Sequence, residues 1–430
     1  MVGLRGFSHW RPRTVLGRLG IWMIDPENLL RQNQQKYETL RAYREGRHSP
    51  AAVGQGVPRR LRGIKANAGV AKTMVDAIME RVHLLGFATS DKRAEAALNE
   101  LVQWEALSRK LALAASDLFT YGRVWLALSA DKAPDYLGGG TQYHVDIHTP
   151  LNAVEHQGVV YVRLGKGHWR VYTQDAVQDE LNGQTVYHME TQFPLIVRCD
   201  WGQTSGVSAS GITRDIQAID EGVARLMGNL QAAGETLANP VHVLKGVTPH
   251  ESVDLEMGDF LRLKNPQAGT ETLQAASLQN QSEGIKALLL MAVGSTKLPS
   301  TFLLASTTNP ASAEAIRASE ARLIALVESV ESVLESALLR LMLMLLYLRG
   351  LSSDDVRRSL SVRWRDPGTP TQAALTDAVI KQLQAGVITV EQAQEKLGMT
   401  PEEVQRWVAS LGGDWFELRD PAEGDPNATV

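Results

Sequence analysis

The chain of 430 residues is poor in cysteine and in aromatic residues, and it has no excess of positive charge. Cys199 is the only cysteine, so neither an intrachain disulfide nor a cysteine zinc cluster can form, and we expect maturation in a reducing compartment. The formal net charge is −4, which argues against a conventional basic nucleic-acid binder, because tight phosphate binding needs clustered Lys and Arg. A negative net charge does not exclude a protein that must let DNA slide past it.

Long apolar runs are also missing. No run of 18 apolar residues occurs, and the most apolar segment, residues 337–348, is too short to span a membrane and contains Arg340. The basic residues 2–21 lack the apolar core of a signal peptide.

No Walker A phosphate loop is present, so we expect no ATPase activity. With 44% hydrophobic and 21% charged residues, the composition predicts a folded protein of roughly two to four domains.

What the chain does have is one long helical pattern, over residues 312–349. Pro310 ends any earlier helix and Ser312 can cap the new one, which would be roughly 55 Å long. Its centre carries Glu328, Glu331 and Glu335 on one face, at spacings i, i+3 and i+7. The pattern therefore predicts a wall element with an acidic face and an apolar face. The apolar positions are Ile316, Leu323, Val327, Val330, Leu334, Leu338, Leu341, Leu345 and Leu348.

Before this helix, the pattern changes from helical to β and back. Helical periodicity over residues 26–46, 67–83 and 93–119 precedes a series of short strands that ends near residue 198. Helix returns at residues 212–237, and a small β-rich insert separates it from another helix at residues 282–293. This order predicts an α+β protein with several domains.

One motif could carry metal chemistry. His144, Asp146 and His148 alternate along a predicted strand, which places three possible ligands on one face. No partner motif occurs elsewhere in the chain, so a structural role is favoured. A metal-dependent phosphodiesterase that uses these three residues is the alternative function.

Six segments, taken in order, resemble the portal proteins of long-tailed bacteriophages, and are most similar to those of phages that infect actinobacteria. The most specific is Ala-Ser-Ala-Glu-Ala-Ile-Arg-Ala-Ser-Glu at residues 311–320, similar to the start of the family's tunnel helix. A second has the pattern E-R-x-x-x-x-G-F, formed by Glu80, Arg81, Gly86 and Phe87. The other four are residues 40–47, 121–126, 212–298 and 362–367. The resemblance runs from about Asp25 to about Leu411.

The resemblance implies a phage portal fold of the α+β class, with a mixed α/β wing, a helical stem, a small β-containing clip, a long tunnel helix and a short helical crown. The implied order begins with a flexible arm at residues 1–22, the N-terminal part of the wing at 23–211, a stem helix at 212–240, a clip at 241–276 and a second stem helix at 277–299. It continues with a tunnel loop at 300–311, the tunnel helix at 312–350, a wing return strand at 351–370, the crown at 371–412 and an acidic tail at 413–430.

The resemblance also implies a structural protein with no catalytic residue, no metal and no cofactor. Such portals are rings, typically dodecamers, at one capsid vertex of the virion, and double-stranded DNA passes through them without sequence specificity. The implied partners are the terminase large subunit, a head-completion or adaptor protein, and the major capsid and scaffold proteins. Assembly is expected in the host cytoplasm, without a membrane.

In such a ring, the acidic face would line the channel, and the apolar face would pack on the neighbouring subunit or on the chain's own wing. Repulsion of phosphate extends only about 8 Å at physiological salt, so DNA would stay central and mobile. The residues expected to face DNA are Ser306, Thr307, Thr308 and Asn309 on the tunnel loop, and Glu328, Glu331 and Glu335 on the helix. The enzyme alternative, including a head-maturation enzyme using His144, Asp146 and His148, needs no such helix.

Overall fold

The computed structural model describes residues 25–48, 61, 63–132, 141–202, 208–238, 242–245, 269–272, 278–304 and 313–368, with a few positions between 376 and 393. The chain divides into two compact units, residues 1–311 with 318–367, and residues 312–317 with 368–430. The tunnel-loop residues 306–309 and most of the predicted crown lie outside the described residues, as do the predicted arm and tail.

The helices begin where the sequence supplies caps. The Asp25 carboxylate accepts a hydrogen bond from the Glu27 amide at the start of the first helix, and Asp91 and Ser353 cap two others in the same way. The helices are α1 Pro26–Arg44, α2 Val70–Met79, α3 Lys92–Trp104, α4 Leu107–Tyr121, α5 Arg214–Ala238, α6 Leu278–Thr296, α7 Ser300–Leu303, α8 Ala313–Leu348 and α9 Asp354–Ser359. None in the described ranges is long and apolar enough to cross a bilayer.

The described strands form four antiparallel sheets, in the orders β4-β5-β6-β7-β8, β3-β2-β9, β1-β12 and β10-β11. The mixture of helices with antiparallel sheets confirms the predicted α+β class. The strands are β1 Leu84–Ala88, β2 Arg123–Lys132, β3 Thr141–His148, β4 Ala153–His156, β5 Val159–Gly165, β6 His168–Tyr172, β7 Ala176–Leu181, β8 Gln184–Glu190, β9 Ile196–Asp200, β10 His242–Lys245, β11 Gly269–Thr272 and β12 Ser361–Trp364.

Strand β7 lacks the residue pattern by which a strand is recognised in a sequence. Its centre holds Gln178 and Asp179, which are both buried, so the alternation of apolar and polar residues is lost. Asp179 is satisfied there by two hydrogen bonds from the Arg170 guanidinium on β6, at 2.7 and 2.9 Å. Because these buried positions are polar, the sequence pattern of β7 indicates a loop rather than a strand.

The main core joins α2, α4, β2 and the long helix α8. Leu323, Val327, Val330 and Leu334 are completely buried in this core. Further apolar residues of α8 are buried in it as far along the helix as Leu346. This face packs against other elements of the same chain, among them α2, α4 and β2. Leu348, at the end of the predicted face, is 40% exposed.

Helices α5 and α6 form a close hairpin on either side of the β10-β11 pair. A Cβ on Gly222 would lie 3.2 Å from Leu288, and one on Gly284 would lie 3.3 Å from Leu226, so glycines set the spacing of the two helices. The hairpin is tied to α2 by the buried Asp220, whose carboxylate accepts hydrogen bonds from the Gly69 and Ala71 amides. The helix, strand pair and helix follow one another in this order along residues 214–296.

Candidate DNA-channel surface

Helix α8 has 36 residues and is therefore about 54 Å long. Its side away from the core carries small side chains, among them the exposed Ser329, Ser332 and Ser336. The Ser329 hydroxyl donates to the Leu326 carbonyl at 2.6 Å, and the Ser336 hydroxyl donates to the Val333 carbonyl at 2.9 Å. Because these two donors are used within the helix, this surface offers few strong hydrogen bonds to a ligand.

The three predicted glutamates differ in exposure. Glu328 is exposed, Glu335 is half-buried and Glu331 is only 5% exposed. The inward turn of Glu331 follows from the width of the buried arc, which includes Val327, Val330 and Leu334 on the neighbouring turns. The three glutamates therefore range from exposed to buried, and the acidic face is not uniformly accessible to solvent.

Burial dominates the chemistry of Glu331. Burial is the largest cause, and together with the negative charges of Glu328, Glu335 and Asp366 it raises the pKa of this carboxyl to about 7. The Glu331 Oε1 atom has no hydrogen-bond partner within the described part of the chain. The Glu331 side chain therefore titrates near neutral pH.

Two cations on the exposed side of α8 were not foreseen. Arg322 is exposed and donates to the Gly294 carbonyl at the end of α6, at 3.3 Å, and Arg340 is exposed on the other side of the glutamates. Both can be read from the sequence of the helix, but they lie 6 and 12 positions from Glu328, which places them about 120° away from it around the helix axis. Asp366 cannot be read in this way, since it approaches Glu331 only through the fold.

The His144, Asp146 and His148 triplet is engaged in structural contacts. Glu105 binds His144 Nδ1 at 2.8 Å and also pairs with Lys110, and these partners hold the pKa of Glu105 below its usual range against the effect of burial. The Ser129 hydroxyl donates to Asp146 at 2.6 Å.

His148 is buried, which lowers its pKa to about 4 although Asp146 acts in the opposite direction. Its Nε2 atom has no partner among the described residues. The described chain contains no group of three or more His, Cys, Asp or Glu residues placed to hold a metal ion. The enzyme alternative therefore has no geometric support.

A polar cleft of about 570 Å³ lies between α1, α2 and α4. Its charges are paired: Arg41 with Glu45 at 3.0 Å, Arg44 with Asp117, and Lys72 with Asp76. With each cation matched to a carboxylate, the cleft has no net charge that would select an anionic ligand.

Comparison with known proteins supports the resemblance found in the sequence. The chain is 28% identical over 451 residues to a protein named "Portal protein" from Mycobacterium phage D29, a match that covers 91% of this chain and 90% of the relative. A protein of the same name from Mycobacterium phage L5 is 27% identical over 443 residues, with 90% of both chains covered. No family model matches the chain.

Two solved structures show low similarity to the chain. One chain from the virion of a native gene transfer agent particle is 12% identical, with a TM-score of 0.41. The match covers 84% of this chain and 99% of the other. An HK97 family phage portal protein from Corynebacterium diphtheriae is 16% identical, with a TM-score of 0.33, over 76% of this chain and 98% of its own. The resemblance to phage portal proteins is thus confirmed by the sequence relatives along about nine-tenths of the chain.

Proposed function

We propose that this chain is a portal subunit, which forms a ring-shaped channel at one capsid vertex through which double-stranded DNA is packaged and ejected. The observation that carries the proposal is the similarity to two mycobacteriophage portal proteins over about nine-tenths of both chains. A match of this extent is not limited to one shared module.

The proposed assembly is a ring of identical subunits in the virion, with twelve as the expected number. The domain boundaries set out from the sequence are proposed to hold, with α5 and α6 as stem, the β10-β11 region as clip and α8 as tunnel helix. The terminase large subunit would dock on the ring and supply the energy of translocation. A head-completion or adaptor protein would replace it later, and the capsid and scaffold proteins would surround the ring.

The channel proposal is refined by the exposure of the three glutamates. Glu328 is proposed to face DNA directly, with Glu335 at the margin of the lining and Ser306, Thr307, Thr308 and Asn309 at the narrowest point. Glu331 is buried, and we propose that it acts on its two acidic neighbours rather than on DNA. A lining of Glu328 and short serines repels phosphate weakly and binds it poorly, so DNA stays mobile.

Negative-stain images of the purified protein test ring formation. Closed rings with a central hole wide enough for duplex DNA are expected at micromolar concentration. A monodisperse monomer in light scattering, across several salt concentrations, would contradict the proposal.

The lining is tested by reversing charge at Glu328. Rings of Glu328→Lys should retain short duplex DNA, because each new phosphate contact adds about 0.9 to the slope of log affinity against log salt. Glu100→Lys is the matched control, since Glu100 is an exposed glutamate on α3. Equal DNA retention by the two variants would remove Glu328 from the lining.

A further inference from the structure

Three helices meet at one half-buried cation, Arg81, which follows the C-terminal end of α2. Its side chain is 11% exposed. The guanidinium donates from Nη2 to Glu320 Oε1 on α8 at 3.1 Å, and from Nη1 to the Ala77 carbonyl of α2 at 3.4 Å. Its Cζ atom lies 5.3 Å from the ring centroid of Phe302 on α7. Arg81 therefore connects α7 and α8 to the end of α2.

The surroundings make these contacts strong. Glu320 is 7% exposed, so the ion pair is shielded from water, and removing either partner would take the opposite charge away from a shielded group. A cation over an aromatic ring is also held more tightly when both groups are desolvated. The carbonyl end of α2 adds a favourable field for a positive charge.

Phe302 and Glu320 lie on opposite sides, in sequence, of residues 306–309. We propose that Arg81 is a positioning residue that holds α7 and the beginning of α8 in a fixed relation through one shared contact. In one respect this rests on the proposed function: because these two helices flank the expected constriction in sequence, Arg81 would set the geometry from which the constriction is built.

Arginine is suited to this role for a chemical reason. Its planar guanidinium can present an edge to the Glu320 carboxylate while its face stays over the Phe302 ring. The ammonium of lysine is a point charge and can satisfy Glu320, but it cannot make both contacts with one flat group. Arg81→Lys should therefore keep the contact to α8 and weaken the contact to α7.

Hydrogen exchange measured by mass spectrometry on the assembled protein tests the shared contact. Arg81→Met should raise exchange about tenfold both in residues 300–304 and in residues 318–326. Glu320→Gln should raise it mainly in the second window, and Phe302→Leu mainly in the first. Residues 159–172, in the five-stranded sheet, serve as an internal reference that should not change.

Arg322→Met is the matched control, because Arg322 is an exposed cation on the same helix that bonds the α6 carbonyl of Gly294. It should leave residues 300–304 unchanged. If Arg81→Met affects only one window, or raises exchange equally in the reference sheet, the shared-contact proposal is wrong. Should Arg81→Met not fold, Arg81→Lys provides the same comparison, with the change expected mainly in residues 300–304.

DNA packaging by intact Arg81→Lys rings tests the link to the constriction separately. Reduced packaging with both ring images and the reference exchange unchanged supports that link. Normal packaging by rings with loosened residues 300–304 would overturn the link and leave the structural role of Arg81 in place. Failure of the wild-type protein to form rings would instead contradict the proposed function itself.

Discussion

The buried Glu331 provides a quantitative test of the way α8 packs. Its pKa is raised from 4.5 to about 7 in the folded chain, so the folded state binds a proton more tightly than the unfolded state between these values. Stability therefore falls as pH rises from about 4.5 to 7, and the full cost of the buried carboxylate is present above that window. Glu331→Gln removes the charge with little change in shape and should be more stable than wild type at pH 8.

The size of the effect follows from the pKa. Each pKa unit corresponds to about 1.4 kcal/mol, which gives a ceiling of about 3 kcal/mol at pH 8. Glu328 is exposed, so water screens its part of the repulsion, and we expect about half of the ceiling, ~1.5 kcal/mol. The gain should shrink as pH is lowered and be lost below about pH 4.5, where Glu331 is neutral in both states.

Urea unfolding of wild type and Glu331→Gln between pH 4.5 and 8.5 measures this difference. Glu100→Gln, at an exposed glutamate on α3, is the control and should follow the wild-type curve. A difference that does not depend on pH, or a variant less stable than wild type at pH 8, would show that Glu331 is not held as a buried, repelled carboxyl.

Two further predictions concern glycine packing and acid stability. A Cβ on Gly211 would lie 2.2 Å from the buried Phe119 ring, whereas one on Gly234 in α5 would meet nothing within 4 Å. Gly211→Ala should therefore lose about 3 kcal/mol in chemical unfolding, and Gly234→Ala should gain about 0.5–1 kcal/mol from helix propensity; similar midpoints for both would contradict this packing. The lowered pKa of His148, about 4, means that stability is lost as pH falls from about 6.5 to 4, because only the unfolded chain takes up the proton there. His148→Gln should remove about 2 kcal/mol of that loss at pH 5, and an unchanged pH profile in urea unfolding would refute the assignment.

The residues of α8 show how far local patterns determine this protein. Apolar spacing, Pro310 and the absence of interior helix breakers are local properties, so the long helix and its apolar face could be predicted without the fold. The same holds for the order of helix, β-rich insert and helix between residues 212 and 298. The resemblance to portal proteins depends on this order, which explains why it was detectable in the sequence.

The exposure of each glutamate was decided by the tertiary structure. Helical periodicity assigns Glu328, Glu331 and Glu335 to one side, but the width of the covered arc depends on which elements pack against the helix. Glu331 falls inside that arc, and Asp366 reaches it from the chain that follows β12. How many of the three carboxylates are exposed is therefore determined by packing.

Contacts between distant residues lie equally beyond the sequence. Arg81 and Glu320 are 239 positions apart, and either residue alone reads as an ordinary surface charge. Likewise, the alternation of His144, Asp146 and His148 indicated three ligands on one face, but Glu105 and Ser129 already occupy two of them. Local sequence determines which side chains share a face of one element, while their partners are determined by which elements the folded core brings together.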